Sequence, residues 1–187
     1  MKKLILVNGI PASGKSSVTK VVANYFSFPV LSIDEIKEPF MVQFADIIDR
    51  PLNRKLGYAA YEAMFNIVKS SPPKVIFIMD AWFGFRDKSV LEDYLKEIGD
   101  IQIIEIWVKA SAELVAERYK KRCDCRIKGH PGEEYIPELI LLAERAEPMN
   151  LGKVYTFEQN NNANHEELIN WVKENINLYT LNNSSCL

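Results

Sequence analysis

Short, fully apolar runs alternate with helical patterns along most of this chain. Residues 4–7 (Leu-Ile-Leu-Val) predict a buried strand, and residues 13–26 follow with Val18, Val21, Val22 and Tyr25 at helical spacing. A second short run at residues 29–33 leads into Asp34. Beyond it Phe40, Met41, Phe44, Ile47 and Ile48 mark one helix face, and Pro39 predicts that this helix begins late or kinks. Residues 54–69 read as a cleaner helix, with Leu56, Ala60, Ala63, Met64 and Ile67 on one side, Asn53 as its cap and Pro72-Pro73 as its stop. Residues 75–79 form an apolar strand ending at Asp80, followed by a helix bearing Val90, Leu91, Tyr94, Leu95 and Ile98. A fourth strand is expected at 101–108, then a helix capped by Ser111 and bearing Leu114, Val115 and Tyr119. A helix near 136–145, a strand near 154–157 and a helix over 165–176 complete the pattern. Asn160-Asn161-Asn162 reads as a surface turn, and the small polar tail 182–187 as disordered.

Strands apolar on both faces, separated by amphipathic helices, predict an α/β fold whose parallel sheet is covered on both sides. With 187 residues and no repeat or composition break, one domain over residues 1–178 is expected, with a tail at 179–187. The formal net charge of −2 gives no reason to expect non-specific nucleic-acid or membrane binding. Three cysteines, with Cys123 and Cys125 one residue apart, are no disulfide framework. The first apolar run stops at Asn8-Gly9, below the roughly 7–15 residues of a secretory core, and nothing reaches the ~18 of a membrane helix. A cytoplasmic protein is expected.

The chemistry concentrates at Gly9-Ile10-Pro11-Ala12-Ser13-Gly14-Lys15-Ser16, followed by Ser17. This is the G-x-x-x-x-G-K-[ST] phosphate loop, directly after a strand and directly opening a helix. Its glycines let backbone N–H groups turn inward onto phosphate oxygens. Lys15 places a cation on the β- and γ-phosphates, the Ser16 hydroxyl serves Mg²⁺, and the helix N-terminus adds its partial positive charge.

Three further features bear on where a γ-phosphoryl group would go. Asp34, at the carboxyl end of the second strand, suits either a proton acceptor for an attacking hydroxyl or a helix N-cap. Asp80, at the end of the third, suits the Mg²⁺ shell or a strand-end turn, and Trp82, Phe83, Phe85 and Arg86 follow it as packing or acceptor contacts. Arg118, Lys121, Arg122, Arg126 and Lys128 form the basic cluster, read as a mobile arginine lid over about 118–135 or as a solvated helix face. Cys123, Cys125 and His130 lack the spacing of a zinc site.

Taken in order, Gly9–Ser16, Asp34-Glu35-Ile36-Lys37-Glu38, Asp80-Ala81-Trp82-Phe83, Glu117-Arg118, Arg122 and Gly129-His130-Pro131-Gly132 resemble the small P-loop kinase-like "AAA domain" ATP-binding proteins. These are relatives of zeta toxin, chloramphenicol phosphotransferase, gluconate kinase and polynucleotide kinase. The resemblance implies a P-loop NTPase fold with a five-stranded parallel sheet in the order 2-3-1-4-5 and an arginine lid. It implies Asp34 as the acceptor-activating base, and it assigns no role to His130-Pro131-Gly132. Ala81-Trp82-Phe83 departs from the Gly-Phe-Pro-Arg of adenylate-kinase-like enzymes, which disfavours a nucleoside monophosphate acceptor.

The expectation is therefore an ATP- and Mg²⁺-dependent kinase acting on a hydroxyl of a small molecule. Lys15, Arg118, Arg122 and Arg126 would stabilise charge, Ser16 and Asp80 would hold the metal, and Asp34 would activate the acceptor. An ATPase driving a partner and a 5′-hydroxyl polynucleotide kinase are the alternatives. Ala81, where many such ATPases carry a glutamate, weighs against the first, and the net charge of −2 against the second.

Overall fold

The computed structural model describes residues 1–160 and 164–176. Five parallel strands, β1 (Lys2–Asn8), β2 (Val30–Ser32), β3 (Ile76–Asp80), β4 (Ile101–Lys109) and β5 (Lys153–Glu158), lie in the order β2-β3-β1-β4-β5. Among the described residues seven α-helices connect and cover them: α1 (Lys15–Phe26), α2 (Ile33–Gln43), α3 (Arg50–Ser70), α4 (Lys88–Ile98), α5 (Ala112–Cys123), α6 (Ile136–Arg145) and α7 (His165–Asn175). The expected sheet order is thus present. Residues 161–163 and the predicted tail lie outside the described residues.

Alternation along the central strands divides the core in two. Ile5, Val7, Ile78, Ile104 and Ile106 face one side and pack on Val18 and Val22 of α1 and Leu168, Ile169 and Val172 of α7. Leu4, Leu6, Phe77 and Met79 face the other, against Tyr61, Met64, Phe65 and Val68 of α3 and Leu91 of α4. Each large side chain so buried contributes roughly 1.5–3 kcal/mol, which anchors the helices although several have mixed faces. A third cluster, Ile10, Ala12, Val115, Tyr119, Leu139 and Leu142, seats α5 and α6 beneath the phosphate loop.

The central sheet also holds a buried polar hub. Glu105, fully enclosed in β4, accepts hydrogen bonds from Asn8 Nδ2 (2.8 Å) and from the backbone N–H groups of Met149 (2.8 Å) and Asn150 (2.9 Å). Asn8 Oδ1 in turn accepts from the N–H groups of Gly9 (2.8 Å) and Phe83 (3.0 Å). The hub thereby ties the start of the phosphate loop to the turn after β3.

Two helices begin elsewhere than their apolar pattern predicts. The helix expected from residue 54 starts at Arg50, because Asp49 rather than Asn53 caps it, its Oδ1 accepting from Leu52 N at 2.8 Å, and Pro51 suits the first turn. Asn53 is one turn inside. The helix expected near Phe40 starts at Ile33, capped by Ser32, and carries Pro39 in its interior; it ends at Gln43, leaving Phe44, Ile47 and Ile48 in the turn beyond. Asp34 is accordingly a first-turn residue and not the N-cap. No described helix is long and apolar enough to cross a membrane.

Candidate active site

The carboxyl ends of β1, β2 and β3 open onto one cleft of about 840 Å³. The loop between β1 and α1 forms its floor. Gly9 (φ 155°) and Gly14 (φ 94°) hold backbone angles that side chains rarely adopt. A Cβ on Gly9 would also stand 2.6 Å from both Ser13 Oγ and the Val108 carbonyl oxygen. Pro11, Ala12, Gly14, Lys15, Ser16 and Ser17 line the cleft, whereas Gly9, Ile10 and Ser13 lie behind it. Ser13 Oγ is buried without a hydrogen-bond partner among the described residues.

The Lys15 ammonium donates to the Ile10 carbonyl at 3.0 Å, folding back over its own loop. Burial lowers its proton affinity, and the facing carboxylates of Asp80 and Asp34 work against that. Asp80 is itself raised by burial, with Lys15 and the Ser16 and Thr19 hydroxyls pulling it back; Thr19 Oγ1 donates to its Oδ2 at 3.1 Å. A hydroxyl beside a carboxylate is the hard-oxygen set that Mg²⁺ takes, so Ser16 and Asp80 fit the ion.

Across the cleft stands Asp34, its side chain half exposed. Burial alone would push its carboxyl up, but Lys37 at 3.3 Å, with Arg126 nearby, outweighs this and holds it below the usual aspartate range. Asp34 is therefore an ionised acceptor at neutral pH.

Arg118, Arg122 and Arg126 all reach the cleft, and Lys121 and Lys128 do not. Arg118 donates to the Ser13 carbonyl (3.2 Å) and to Gln159 Oε1 (3.0 Å), which fixes it against the flank of the loop. Arg122 lies on the Tyr119 ring, and its buried Nε has no partner among the described residues. Lys121 pairs with Glu117, and Lys128 donates to the Ala45 carbonyl at 2.8 Å. Of the residues after Asp80, Phe83 is fully buried and Arg86 stacks on Tyr58 (4.2 Å), leaving Trp82 and Phe85 on the cleft wall.

The segment following α5 is fastened to α2. Gly129 rests directly on Ile48, and His130, with a side chain only 3% exposed, bridges Glu38 Oε1 (Nε2, 2.9 Å) and Arg126 Nη2 (Nδ1, 2.7 Å). A guanidinium can only donate, so Nδ1 must be the bare nitrogen and Nε2 the N–H that donates to Glu38. Burial and the Arg126 charge press His130 down to about 3, in keeping with this neutral tautomer. Arg126 Nη1 also donates to Tyr119 Oη (3.1 Å), which itself donates to the Pro131 carbonyl (2.7 Å). Ligand atoms of Asp34, Glu38 and His130 lie within 4.8 Å of one another, but Lys37 and Arg126 already supply the positive charge there. The segments holding Lys37, Glu38 and His130 carry the resemblance without a role for these three side chains, and the structure brings them together beside Asp34.

No protein-family model matches the chain, and no curated protein matches it by sequence. Solved structures do match by shape. A candidate kinase from Chloroflexus aurantiacus is 25% identical, with a TM-score of 0.73 over 93% of this chain and 98% of its own. A gluconokinase from Sinorhizobium meliloti is 17% identical, with a TM-score of 0.59 over 95% and 96%. A shikimate kinase from Bacteroides thetaiotaomicron is 16% identical, with a TM-score of 0.58 over 94% and 98%. The chain has the α/β fold of the P-loop kinases, a five-stranded parallel sheet in the order 2-3-1-4-5 flanked by helices.

Proposed function

We propose that this chain is a phosphotransferase that moves the γ-phosphoryl group of ATP to a hydroxyl of a small molecule. The observation that carries the reading is the presence of Lys15 and Asp34 in one cleft, close enough for the Asp34 carboxylate to act on the Lys15 ammonium. The similarity to a gluconokinase and a shikimate kinase supports it at the level of the fold.

The loop amides and Lys15 bind the β- and γ-phosphates, and Arg118 flanks the nucleotide side. Ser16 and Asp80 would hold Mg²⁺, which supplies charge neutralisation to the phosphates when bound. The acceptor hydroxyl donates to Asp34, which points its oxygen at the γ-phosphorus. The new O–P bond forms as the bond to the bridging β–γ oxygen breaks; ADP leaves, and the hydroxyl proton passes to Asp34. A carboxylate held below its usual range is a weak base. It suits a loose transition state, in which the hydroxyl gives up its proton late. Arg122, with its unpartnered Nε, and Arg126 stabilise the charge on the transferring group.

Transfer to a molecule, in preference to water, is favoured by Ala81, a fully buried methyl where an ATPase would place a carboxylate for water. The test is Asp34→Asn: ATP affinity should persist while transfer falls about 10²–10⁴-fold, the usual worth of a positioned proton acceptor. Transfer at the parental rate would remove Asp34 from the mechanism.

A further inference from the structure

The cleft wall formed by the first two turns of α3 carries a stripe that phosphoryl transfer itself does not use. Arg50, Asn53, Arg54 and Gly57 stand at i, i+3, i+4 and i+7, one helical face, and all line the cleft. One turn further on, the same helix turns Tyr61, Met64 and Phe65 into the core.

Three properties of the stripe point to a ligand. Asn53 Oδ1 is buried and accepts no hydrogen bond among the described residues, a state that a donor on a bound molecule would relieve. Gly57 sits in a helix interior, where glycine is unfavourable relative to alanine, yet a Cβ there would meet nothing within 4 Å. Packing of the protein therefore does not require the glycine; the room it leaves opens on the cleft. Arg54 has no carboxylate partner among the described residues, and its Nε is tied to Tyr58 Oη (2.8 Å), which leaves the two terminal amino groups to the cleft. Arg145, also on the cleft, has no carboxylate partner among the described residues either, while Trp82 and Phe85 add an apolar surface.

We infer that the acceptor is a small hydroxyl compound bearing an oxyanion, a carboxylate or a phosphate, with Arg54 on the anion, Asn53 Oδ1 on a second hydroxyl and the carbon frame against Gly57. This rests on the kinase reading and adds the charge class of the substrate to it. A paired guanidinium would tolerate neutral acceptors; an unpaired one beside an orphaned acceptor oxygen selects an anion that also carries a donor.

The test offers Mg²⁺ and γ-labelled ATP with three charge classes of hydroxyl compound. D-Gluconate, D-glycerate and glucose 6-phosphate are the anions, glucose and glycerol the neutral members, and kanamycin the cation. Thermal shifts with a non-hydrolysable ATP analogue are measured in parallel on the parent, Arg54→Ala and Gly57→Ala proteins. Label and shift are expected with anions, gluconate against glucose 6-phosphate separating carboxylate from phosphate. Gly57→Ala should melt higher than the parent without acceptor, because alanine favours the helix, yet raise the acceptor KM at least 10-fold with a smaller change in kcat. Arg54→Ala should lose the anion shift and keep the shift given by the nucleotide analogue. Labelling confined to neutral or cationic members overturns the inference and leaves the kinase reading intact. So does an unchanged KM in Gly57→Ala, and so does the absence of any anion shift in the parent. Arg54-dependent anion binding with no transfer to any class would instead sink the kinase reading and leave the anion site standing.

Discussion

The ionisation of His130 departs far from its ordinary behaviour, and the departure has a readable consequence. Unfolded, it takes a proton near its ordinary 6.5; folded, burial and the Arg126 guanidinium hold it down to about 3. Between those values the unfolded chain binds more protons, so this group's contribution to stability falls as pH falls through the window. Asp34, held low by Lys37, works in the same direction below about 4. Glu38, raised by burial and by Asp34, works the other way. A urea midpoint measured from pH 7.5 to 4.5 should therefore drop in the parent and drop less in His130→Asn; coincident curves would mean that His130 titrates freely. The activity profile should show no inflection from His130 near 6.5. Glu105 makes the second residue-scale case. Glu105→Leu would strand the Asn8 amide and two backbone N–H groups, and should cost about 3 kcal/mol or more in equilibrium unfolding, at about 1–3 kcal/mol for each buried donor left unsatisfied. Lys15, Asp34 and Asp80 were legible in sequence because each is marked locally, by a motif or by the end of an apolar run. His130 and Glu38 were not, since their hydrogen bond joins positions 92 residues apart. Nor does an isolated glutamate inside an apolar strand announce that three donors converge on it.

The elements were legible where one face meets the core along its whole length and obscured where a face turns toward the cleft. In α3 the apolar period begins only in the second turn, because Arg50, Asn53 and Arg54 look into the cleft; pattern alone therefore placed the start too late. The true boundary rests on Asp49, whose carboxylate caps Leu52 N. Asp49→Ala should lower stability by about 1 kcal/mol, read from a chemical denaturation midpoint, whereas removing the Asn53 side chain should not act as the loss of a cap. In α2 the interior proline argued for a late start, yet the helix forms from Ile33 around it. That placement sets Asp34, Lys37 and Glu38 on successive positions of one face at i, i+3 and i+4, where they meet the segment carrying Arg126 and His130. The segment expected as a lid is held to Glu38 of α2 by His130 and to the turn beyond α2 by Lys128 and Gly129, and Arg126 shares in the His130 network. Arg118 belongs to the loop flank instead.

At the scale of the whole molecule, the order β2-β3-β1-β4-β5 places the ends of β1, β2 and β3 side by side, so that the glycine-rich loop, Asp34 and Asp80, from distant stretches of chain, share one cleft. Parallel pairing enforces this: Ser32 registers with Asp80, and Asp80 with Val7, which precedes the loop by two residues. A ligand bound across that junction links helices from both faces of the sheet, and its free energy adds to that of folding. Saturation with MgATP to about 100 times Kd should therefore stabilise the native state by about 2.7 kcal/mol. For a domain of this size each kcal/mol moves the melting midpoint by about 2–4 °C, so a rise of roughly 5–10 °C is expected. Lys15→Ala should abolish most of that rise without lowering the midpoint of the free protein much, because the ammonium's one hydrogen bond is to its own loop and its burial is unfavourable in the absence of phosphate. An equal rise in parent and variant would place the nucleotide elsewhere than on this loop. A large loss of stability in the free variant would instead mean that Lys15 holds the loop together rather than waiting for a phosphate.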